Sequence, residues 1–380
     1  MKPFHSQSRP IEIQPASGDG WVPPAVRAWN RFWFRPADPL PLGVIRFLAG
    51  AVILYIHLIY SLDLQDLVGK HGWVDEQPLK YLRKEYLDYP PSADWDFSKP
   101  EKKGLPLWSV YYHVQEPASV IAVHSAFMVG MFLFTIGFAT RVTSVIAWVA
   151  ALSYVHRATS TVFGMDQISI ILLFYLMIGP SGATFSVDRL LACWWARRKG
   201  LPEPPVKPMV SANFALRLMQ VHFCIIYMAS GLSKLQGPSW WNGQALWGTM
   251  ANYSFAPMHW PIYLDFLRFL AEHRVLWEIV MTGGSYFTLV VEISFTFLVW
   301  RKSTRWLILI GAVMLHTGIG LIMGLTTFSM TMMCLMLCFL PPETFHRALT
   351  ALSSKASALR GKALSDPRAA RKEPALAGKA

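Results

Sequence analysis

The hydrophobic residues of this chain are gathered into eight long runs, which polar, charged or proline-rich stretches separate. Most runs approach the roughly 20 apolar residues that a helix needs to cross a bilayer. Because lipid offers no hydrogen bonds to an open backbone, the expected state of each run is a helix. The runs cover approximately residues 41–60, 118–140, 142–157, 163–180, 212–235, 277–300, 304–321 and 324–341.

The segments around these runs complete the expected organisation. Residues 61–117 are acidic and rich in Trp, Tyr and Pro, and we expect them to form an outer cap. Residues 236–276 contain PSWWNG and two short apolar stretches, which predict outer interfacial or re-entrant helices. The segment 1–40 is polar and broken by proline, and the basic tail 342–380 is predicted to be disordered. The expected fold is an all-α polytopic transmembrane helical bundle of about eight spans in residues 41–341.

The composition agrees with a membrane location. Of the 380 residues, 53% are hydrophobic and only 15% are charged, against roughly 25% charged in average globular proteins. These values exclude a disordered or collagenous protein and argue against an ordinary soluble enzyme. The four cysteines form no CxxC pair, so neither a disulfide framework nor a Cys-based zinc site is expected.

The net charge of +12 is distributed unevenly along the chain. If both termini are inside and the spans alternate, the inner segments hold 22 basic and 8 acidic residues, and the outer segments hold 10 basic and 14 acidic residues. This positive-inside pattern predicts a multi-pass protein with both termini cytoplasmic, in a bacterial inner or cytoplasmic membrane. The partner that explains the charge is the lipid bilayer and not nucleic acid.

Lys234 lies at the end of the fifth run and, with Arg46, Arg217 and Glu292, is one of the four charged residues that the charge count assigns to the runs themselves and not to a flanking segment. At 100° per residue, Gln220, Tyr227 and Lys234 share one helix face, and Gly231 beside them is expected to leave room near the lysine. Desolvation favours the neutral amine, which is the form that acts as a general base. The alternative is a lysine whose charged head reaches the outer interface.

Glu292 in the sixth run shares its helix face with Ser285, Thr288 and Thr296, and such a polar stripe indicates the bundle interior. Arg217 in the fifth run has a similar expected depth, which predicts a buried Arg217–Glu292 ion pair. The alternative roles of Glu292 are a proton relay or a substrate anchor.

His316 lies in the seventh run, where both a hydrogen-bonded packing role and a ligand role fit a histidine. No His-xxx-His or Glu-xx-His pair supports a metal site, so none is predicted. The sequence also contains no Walker loop, no GxGxxG after a strand, no GxSxG and no HExxH.

The stretch SGLSKLQGPSWWNGQALW from Ser230 to Trp247 resembles the core motif of HTTM-domain membrane proteins, the superfamily that contains vitamin K-dependent gamma-carboxylase. In that family a small-Gly-apolar-x-Lys-Leu run is followed by Trp, Gly and an apolar helix. The matching positions here are Gly231, Lys234, Leu235, Trp240 or Trp241, Gly243 and Leu246. A glutamate in the next run, Glu292, and a histidine in the one after, His316, are also similar.

The resemblance implies that Lys234 is the base that deprotonates reduced vitamin K or another quinol. In the carboxylase, oxygenation then makes a strongly basic alkoxide, which removes a glutamyl γ-proton before carbon dioxide adds. This chain departs from the family at Ser233, where the carboxylase has a second lysine. It also ends about 40 residues after its last predicted span, so only the cap 61–117 is expected to take the place of the carboxylase's large non-cytoplasmic domain.

The expected function is that of a membrane-embedded enzyme acting on a lipidic quinone or similar isoprenoid, with an exported peptide as the modified partner. The expected pocket opens outward and is lined by Tyr227, Lys234, Trp240 and Trp241. Two other functions stay open. One is a non-catalytic membrane partner in the maturation or export of a secreted peptide. The other is a transporter for a small acid that uses Arg217, Glu292 and His316.

Overall fold

A computed structural model of the protein describes residues 23–75, 78–79, 107–254 and 259–365, and within these ranges the regular structure is entirely helical. We number the α-helices in chain order. They are α1 (Pro24–Phe34), α2 (Leu40–Tyr60), α3 (Leu64–Val68), α4 (Pro117–Ile136), α5 (Thr140–Arg157), α6 (Gly164–Ile178), α7 (Val187–Arg198), α8 (Val210–Leu235), α9 (Pro238–Trp241), α10 (Gln244–Met250), α11 (Pro261–Glu272), α12 (Arg274–Leu298), α13 (Arg305–Ile322), α14 (Thr326–Met336) and α15 (Pro342–Ser365). The chain also forms 3₁₀ turns at Val110–Tyr112 and Leu337–Phe339.

All eight predicted runs coincide with helices, but only five of these helices are long and apolar enough to cross a bilayer. They are α2, α4, α8, α12 and α13. Helix α6 is too short, with 15 residues, and α5 has polar or charged residues at both ends. Helix α14 continues through its 3₁₀ turn to Phe339 and then meets α15 at a bend of 113°, which gives a sixth span if the bent pair counts as one.

At one end of the bundle lie segments that were predicted to be on the inner side. Backbone hydrogen bonds join Ala37 to Met209, and His346 Nε2 lies 2.7 Å from the Asp38 carboxylate. The Asp188 carboxylate accepts hydrogen bonds from the backbone of the 139–140 turn. We call this the basic end, defined by residues 35–40, 137–141, 179–211, 299–305 and 340–347.

The opposite end is held together by the other loops. The Ser109 hydroxyl donates to the Ser153 carbonyl over 2.6 Å, and Ser61 Oγ lies 2.8 Å from Nε2 of His124. The Arg157 guanidinium donates to backbone carbonyls of residues 69 and 74. These contacts join the described part of the predicted cap to α4 and α5.

The core between the two ends is formed by apolar side chains from α2, α4, α5, α6, α8, α12, α13 and α14. One charged side chain within it, Arg46 of α2, is completely buried. Its guanidinium donates to the carbonyl oxygens of Ser181 at 2.7 Å and Phe185 at 2.5 Å. Arg46 thus fixes the 181–185 turn at the basic end, which gives this conspicuous charge a structural role.

The flanking segments differ in part from expectation. The tail predicted to be disordered is helical as far as Ser365, because α15 starts at Pro342 and packs its first turns against α2. The segment 236–276 contains the short helices α9, α10 and α11. The predicted cap lies largely outside the described residues, which cover only 61–75, 78–79 and 107–117 of it.

Candidate functional site

The candidate site is built on the second half of α8, where Tyr227, Ser230 and Lys234 follow one another at intervals of three and four residues. This spacing places the three side chains on one helix face. That face meets α12 near Glu292, since Gly231 allows a close approach of the two helices. A Cβ atom on Gly231 would lie 2.7 Å from Cγ1 of Ile293 and 3.3 Å from Cβ of Glu292. The glycine therefore serves helix packing and does not leave room beside the lysine, contrary to the prediction.

Lys234 and Glu292 form an ion pair between α8 and α12. Nζ of Lys234 lies 2.8 Å from each carboxylate oxygen of Glu292 and 2.5 Å from Oγ of Ser230. The Ser230 hydroxyl also donates to Oε1 of Glu292 over 3.2 Å. The exposed fractions of the two charged side chains are 21% and 9%, so the lysine does not extend into the aqueous interface as the alternative interpretation required.

The predicted Arg217–Glu292 pair is wrong. The Arg217 guanidinium donates to Oε1 of Gln220 over 2.8 Å and lies over the rings of Phe32 and Trp300 at the basic end. Seventeen residues of helix separate Arg217 from Lys234, or roughly 25 Å at 1.5 Å per residue. Arg217 therefore does not belong to the site, which also removes the residue set assigned to a small-acid transporter.

The ion pair borders a cavity of about 400 Å³. Its walls come from α8, α9, α10, α12, α13 and α14 and are mostly apolar. Beside Lys234, Glu292 and Ser230, the polar side chains on its surface are those of Tyr227, Thr249, Thr288 and His316. The size lies within the range of roughly 300–1,000 Å³ typical of small-molecule sites, and a few convergent polar groups in an apolar wall are also typical of them.

The deeper polar wall of the cavity is the contact between Tyr227 and His316. The Tyr227 hydroxyl lies 2.8 Å from Nε2 of His316, and both side chains are only 2% exposed. The Tyr227 ring packs between Phe223 and Phe295, with ring centroids 4.5 and 4.7 Å away. Nδ1 of His316 has no hydrogen-bond partner among the described residues, which leaves one polar atom available beside the cavity.

The two tryptophans of the predicted pocket have different positions. The Trp240 ring lines the cavity, with Nζ of Lys234 5.4 Å from its centroid, which is a cation–π distance. Trp241 is 54% exposed, and its indole N–H donates to the Leu235 carbonyl over 2.8 Å. Trp241 is therefore not a cavity residue, and its hydrogen bond instead fixes the turn between α8 and α9.

Gly243 positions the helix that covers the site. Its φ of +73° lies in the left-handed region, where glycine carries no steric penalty, and it directly precedes α10. A Cβ atom here would lie 2.8 Å from Oγ1 of Thr282, and one on Gly284 would lie 2.6 Å from Cδ1 of Leu246. These two glycines bring α10 against α12, so Gly243 acts on the site through packing and not through contact with a ligand.

Sequence reasoning missed the contribution of Ser230, although the residue lies one helical turn before Lys234. It also gave no indication of the wall formed by Leu325, Phe328 and Met332. These three side chains come from the loop before α14 and from α14 itself, whose neighbours the sequence does not specify. Among the described residues, no group of three His, Cys, Asp or Glu side chains is placed to hold a metal ion.

The arrangement can bind an apolar molecule that carries a hydroxyl or carbonyl group. Lys234, Glu292 and Ser230 supply donors and acceptors at one wall, and Tyr227 and His316 supply them at another. The paired lysine and carboxylate can also accept a proton. In the ion pair they hold one proton fewer than an ammonium beside a neutral carboxyl group. Searches against protein-family models, curated proteins and solved structures find no match to this chain.

Proposed function

We propose that this chain is an HTTM-type integral membrane enzyme in which the Lys234–Glu292 pair removes a proton from a lipidic quinol. The observation that carries the proposal is the position of this ion pair at the wall of an apolar cavity between helices. A cavity of about 400 Å³ fits a quinol ring with part of an isoprenoid chain, and its polar groups are those that hydroxyl oxygens need.

The chemistry follows from the protons that the pair can hold. One proton is shared between amine and carboxylate, whether it is written on Lys234 or on Glu292. Acceptance of a second proton yields the Lys234 ammonium beside a neutral Glu292 carboxyl group, and the positive charge then faces the oxygen that lost the proton. In a site with little water this charge stabilisation is stronger than in solution. The Trp240 ring lies on the cavity side of the pair, with its centroid 5.4 Å from Nζ of Lys234.

The remaining features of the proposal concern orientation and partner. The basic end faces the cytoplasm, in agreement with the positive-inside rule, and the Lys234 site then opens toward the outer leaflet of a bacterial inner membrane. The exported peptide that the resemblance implies would reach the site from that side. Reduced vitamin K or a related quinol is the cofactor class that fits.

The test compares the purified wild-type protein with Lys234→Ala in the same detergent, with reduced vitamin K and oxygen. Ser233→Ala is the matched control, because this exposed neighbour donates to the Ser230 carbonyl and does not contact Glu292. We expect quinol turnover by the wild type and the control, and a loss of about 100-fold or more in Lys234→Ala, as for removal of a general base. Equal turnover by all three proteins, or no turnover and no bound quinone in the wild type, contradicts the proposal.

A further inference from the structure

A second cavity of about 260 Å³ lies at the basic end, far from Lys234. It is bounded by α8, by the turn between α12 and α13, and by the Pro341–Pro342 step. Two arginines line it, Arg217 from α8 and Arg305 from the start of α13. None of the residues that line this cavity carries a carboxylate.

The Arg217 guanidinium is fixed by ring contacts and a hydrogen bond, but not all of its N–H groups have a partner among the described residues. It lies 4.4 Å from the ring centroid of Phe32 and 5.7 Å from that of Trp300, and it donates to Oε1 of Gln220. The Gln220 amide in turn donates to the Cys338 carbonyl over 2.6 Å, which fixes the glutamine. The buried Nε of Arg217 has no hydrogen-bond partner in the described part of the chain. The aromatic rings orient the guanidinium, and no carboxylate of the described residues forms an ion pair with it.

Arg305 adds a second positive charge to the same cavity. It is half-buried, and its Nε donates to the Val299 carbonyl over 3.0 Å at the end of α12. Two carboxylates adjoin the lining residues in the chain. Asp38 accepts a hydrogen bond from the Leu40 backbone and lies against His346, and Glu343 is exposed and does not line the cavity. Two guanidinium groups thus share a cavity whose lining, among the residues that the structure describes, contains no carboxylate.

Buried or half-buried charges in proteins are normally paired, because desolvation without a partner is costly. Guanidinium groups match the oxygen geometry of phosphate with parallel hydrogen bonds, better than lysine does. We propose that the cavity between Arg217 and Arg305 is a binding site for a phosphate group. Its location at the basic end allows two sources, the headgroup of an anionic phospholipid or a free phosphate. This inference is independent of the proposed quinol chemistry.

The test measures binding to the full-length protein in neutral detergent. The probes are dioleoylphosphatidylglycerol, followed by native mass spectrometry, and inorganic phosphate, followed by the shift of the thermal midpoint. Dioleoylphosphatidylcholine is the lipid control. The variants are Arg217→Gln and Arg305→Gln. The matched control is Arg301→Gln, which removes an exposed arginine of the same turn that does not line the cavity.

We expect the wild type and Arg301→Gln to bind one of the two anionic probes at a concentration at least tenfold lower than either cavity variant. If the wild type prefers phosphatidylglycerol to phosphatidylcholine, the site is assigned to a lipid headgroup. If only inorganic phosphate shifts the thermal midpoint, the site is assigned to a free phosphate. If Arg217→Gln does not fold, Arg305→Gln decides the question. Wild-type affinity in the folded cavity variants, or no binding of either probe, overturns the proposal.

Discussion

Nζ of Lys234 lies 2.8 Å from both carboxylate oxygens of Glu292, although 58 residues separate the two positions in the chain. The contact joins α8 to α12 one helical turn from Gly231, at which a Cβ atom would lie 2.7 Å from Cγ1 of Ile293. Each charge is the main compensation for the other, since only 21% of the lysine and 9% of the glutamate side chain are exposed. This pair is therefore both a helix–helix contact and the polar wall of the cavity.

The ion pair predicts a non-additive effect on stability. We expect Lys234→Met and Glu292→Leu each to lower the free energy of unfolding by about 2–3 kcal/mol, less than the roughly 3–5 kcal/mol for a fully buried pair because the lysine is partly exposed. The double variant Lys234→Met/Glu292→Leu leaves no charge unpaired and should be more stable than either single variant. Unfolding in detergent measures all three. A double variant whose loss equals the sum of the single losses contradicts the coupling.

Gly231 predicts a test of the close approach between α8 and α12. A methyl group at this position meets Cγ1 of Ile293 at 2.7 Å, so Gly231→Ala should destabilise the protein by about 1–3 kcal/mol, as overpacking does. Gly283→Ala in α12 is the control, because its Cβ would meet no heavy atom within 4 Å. This control should be neutral or stabilising by up to about 1 kcal/mol, from the helix preference for alanine. Thermal unfolding compares the two, and equal midpoints would argue against the packing role.

The Tyr227–His316 contact predicts how far the free energy of unfolding falls when a buried histidine loses its hydrogen-bond partner. Tyr227→Phe keeps the ring stack with Phe223 and Phe295 but removes the hydroxyl that contacts His316 at 2.8 Å. The expected loss is about 1–3 kcal/mol, the usual cost of an unsatisfied buried polar group. Tyr286→Phe, at an exposed tyrosine of α12, should change the free energy of unfolding by less than about 0.5 kcal/mol. A Tyr227→Phe protein as stable as this control would show that the contact contributes nothing.

Gly318 offers a way to fill the cavity without touching the ion pair. It lines the cavity, and a Cβ atom there would meet no heavy atom within 4 Å. We expect Gly318→Trp to retain wild-type stability and to lower the amount of bound vitamin K by about tenfold, a loss of roughly 1.4 kcal/mol in binding free energy. Gly283→Trp places the same side chain on an exposed face of α12 outside the cavity and should bind as the wild type does. Unchanged binding by Gly318→Trp means that the quinone occupies another place.

The proposed orientation, with the basic end in the cytoplasm, predicts which end of the bundle a membrane-impermeant maleimide labels in intact cells. In a Cys193→Ser background, we expect Asn252→Cys to be labelled from outside and Lys302→Cys only after permeabilisation. Both positions are exposed, and the remaining cysteines at 224, 334 and 338 are buried. The expectation rests on the basic residues around 301–305, which the positive-inside rule assigns to the cytoplasmic side. The reverse labelling pattern would place the Lys234 site in the inner leaflet.

The sequence alone determined the helical character of all eight apolar runs. A helix makes all its backbone hydrogen bonds within its own segment. The length and hydropathy of a run therefore suffice to predict a helix there. Span number was harder to predict. Helices α5 and α6 are polar at their ends or short, so the hydropathy of each run separately does not decide whether it crosses the bilayer.

Only the tertiary structure decided which charges meet. The predicted Arg217–Glu292 pair assumed that the start of α8 and the end of α12 lie at the same level. In the fold, α8 extends past the end of α12, so that Arg217 lies against Trp300 while Glu292 faces Lys234. The stagger depends on the packing at Gly231 and on the turn that follows α12, which are contacts between residues far apart in the chain. The polar and apolar pattern of a helix predicts on which face of the helix a side chain lies. It does not predict which residue of another helix that side chain contacts.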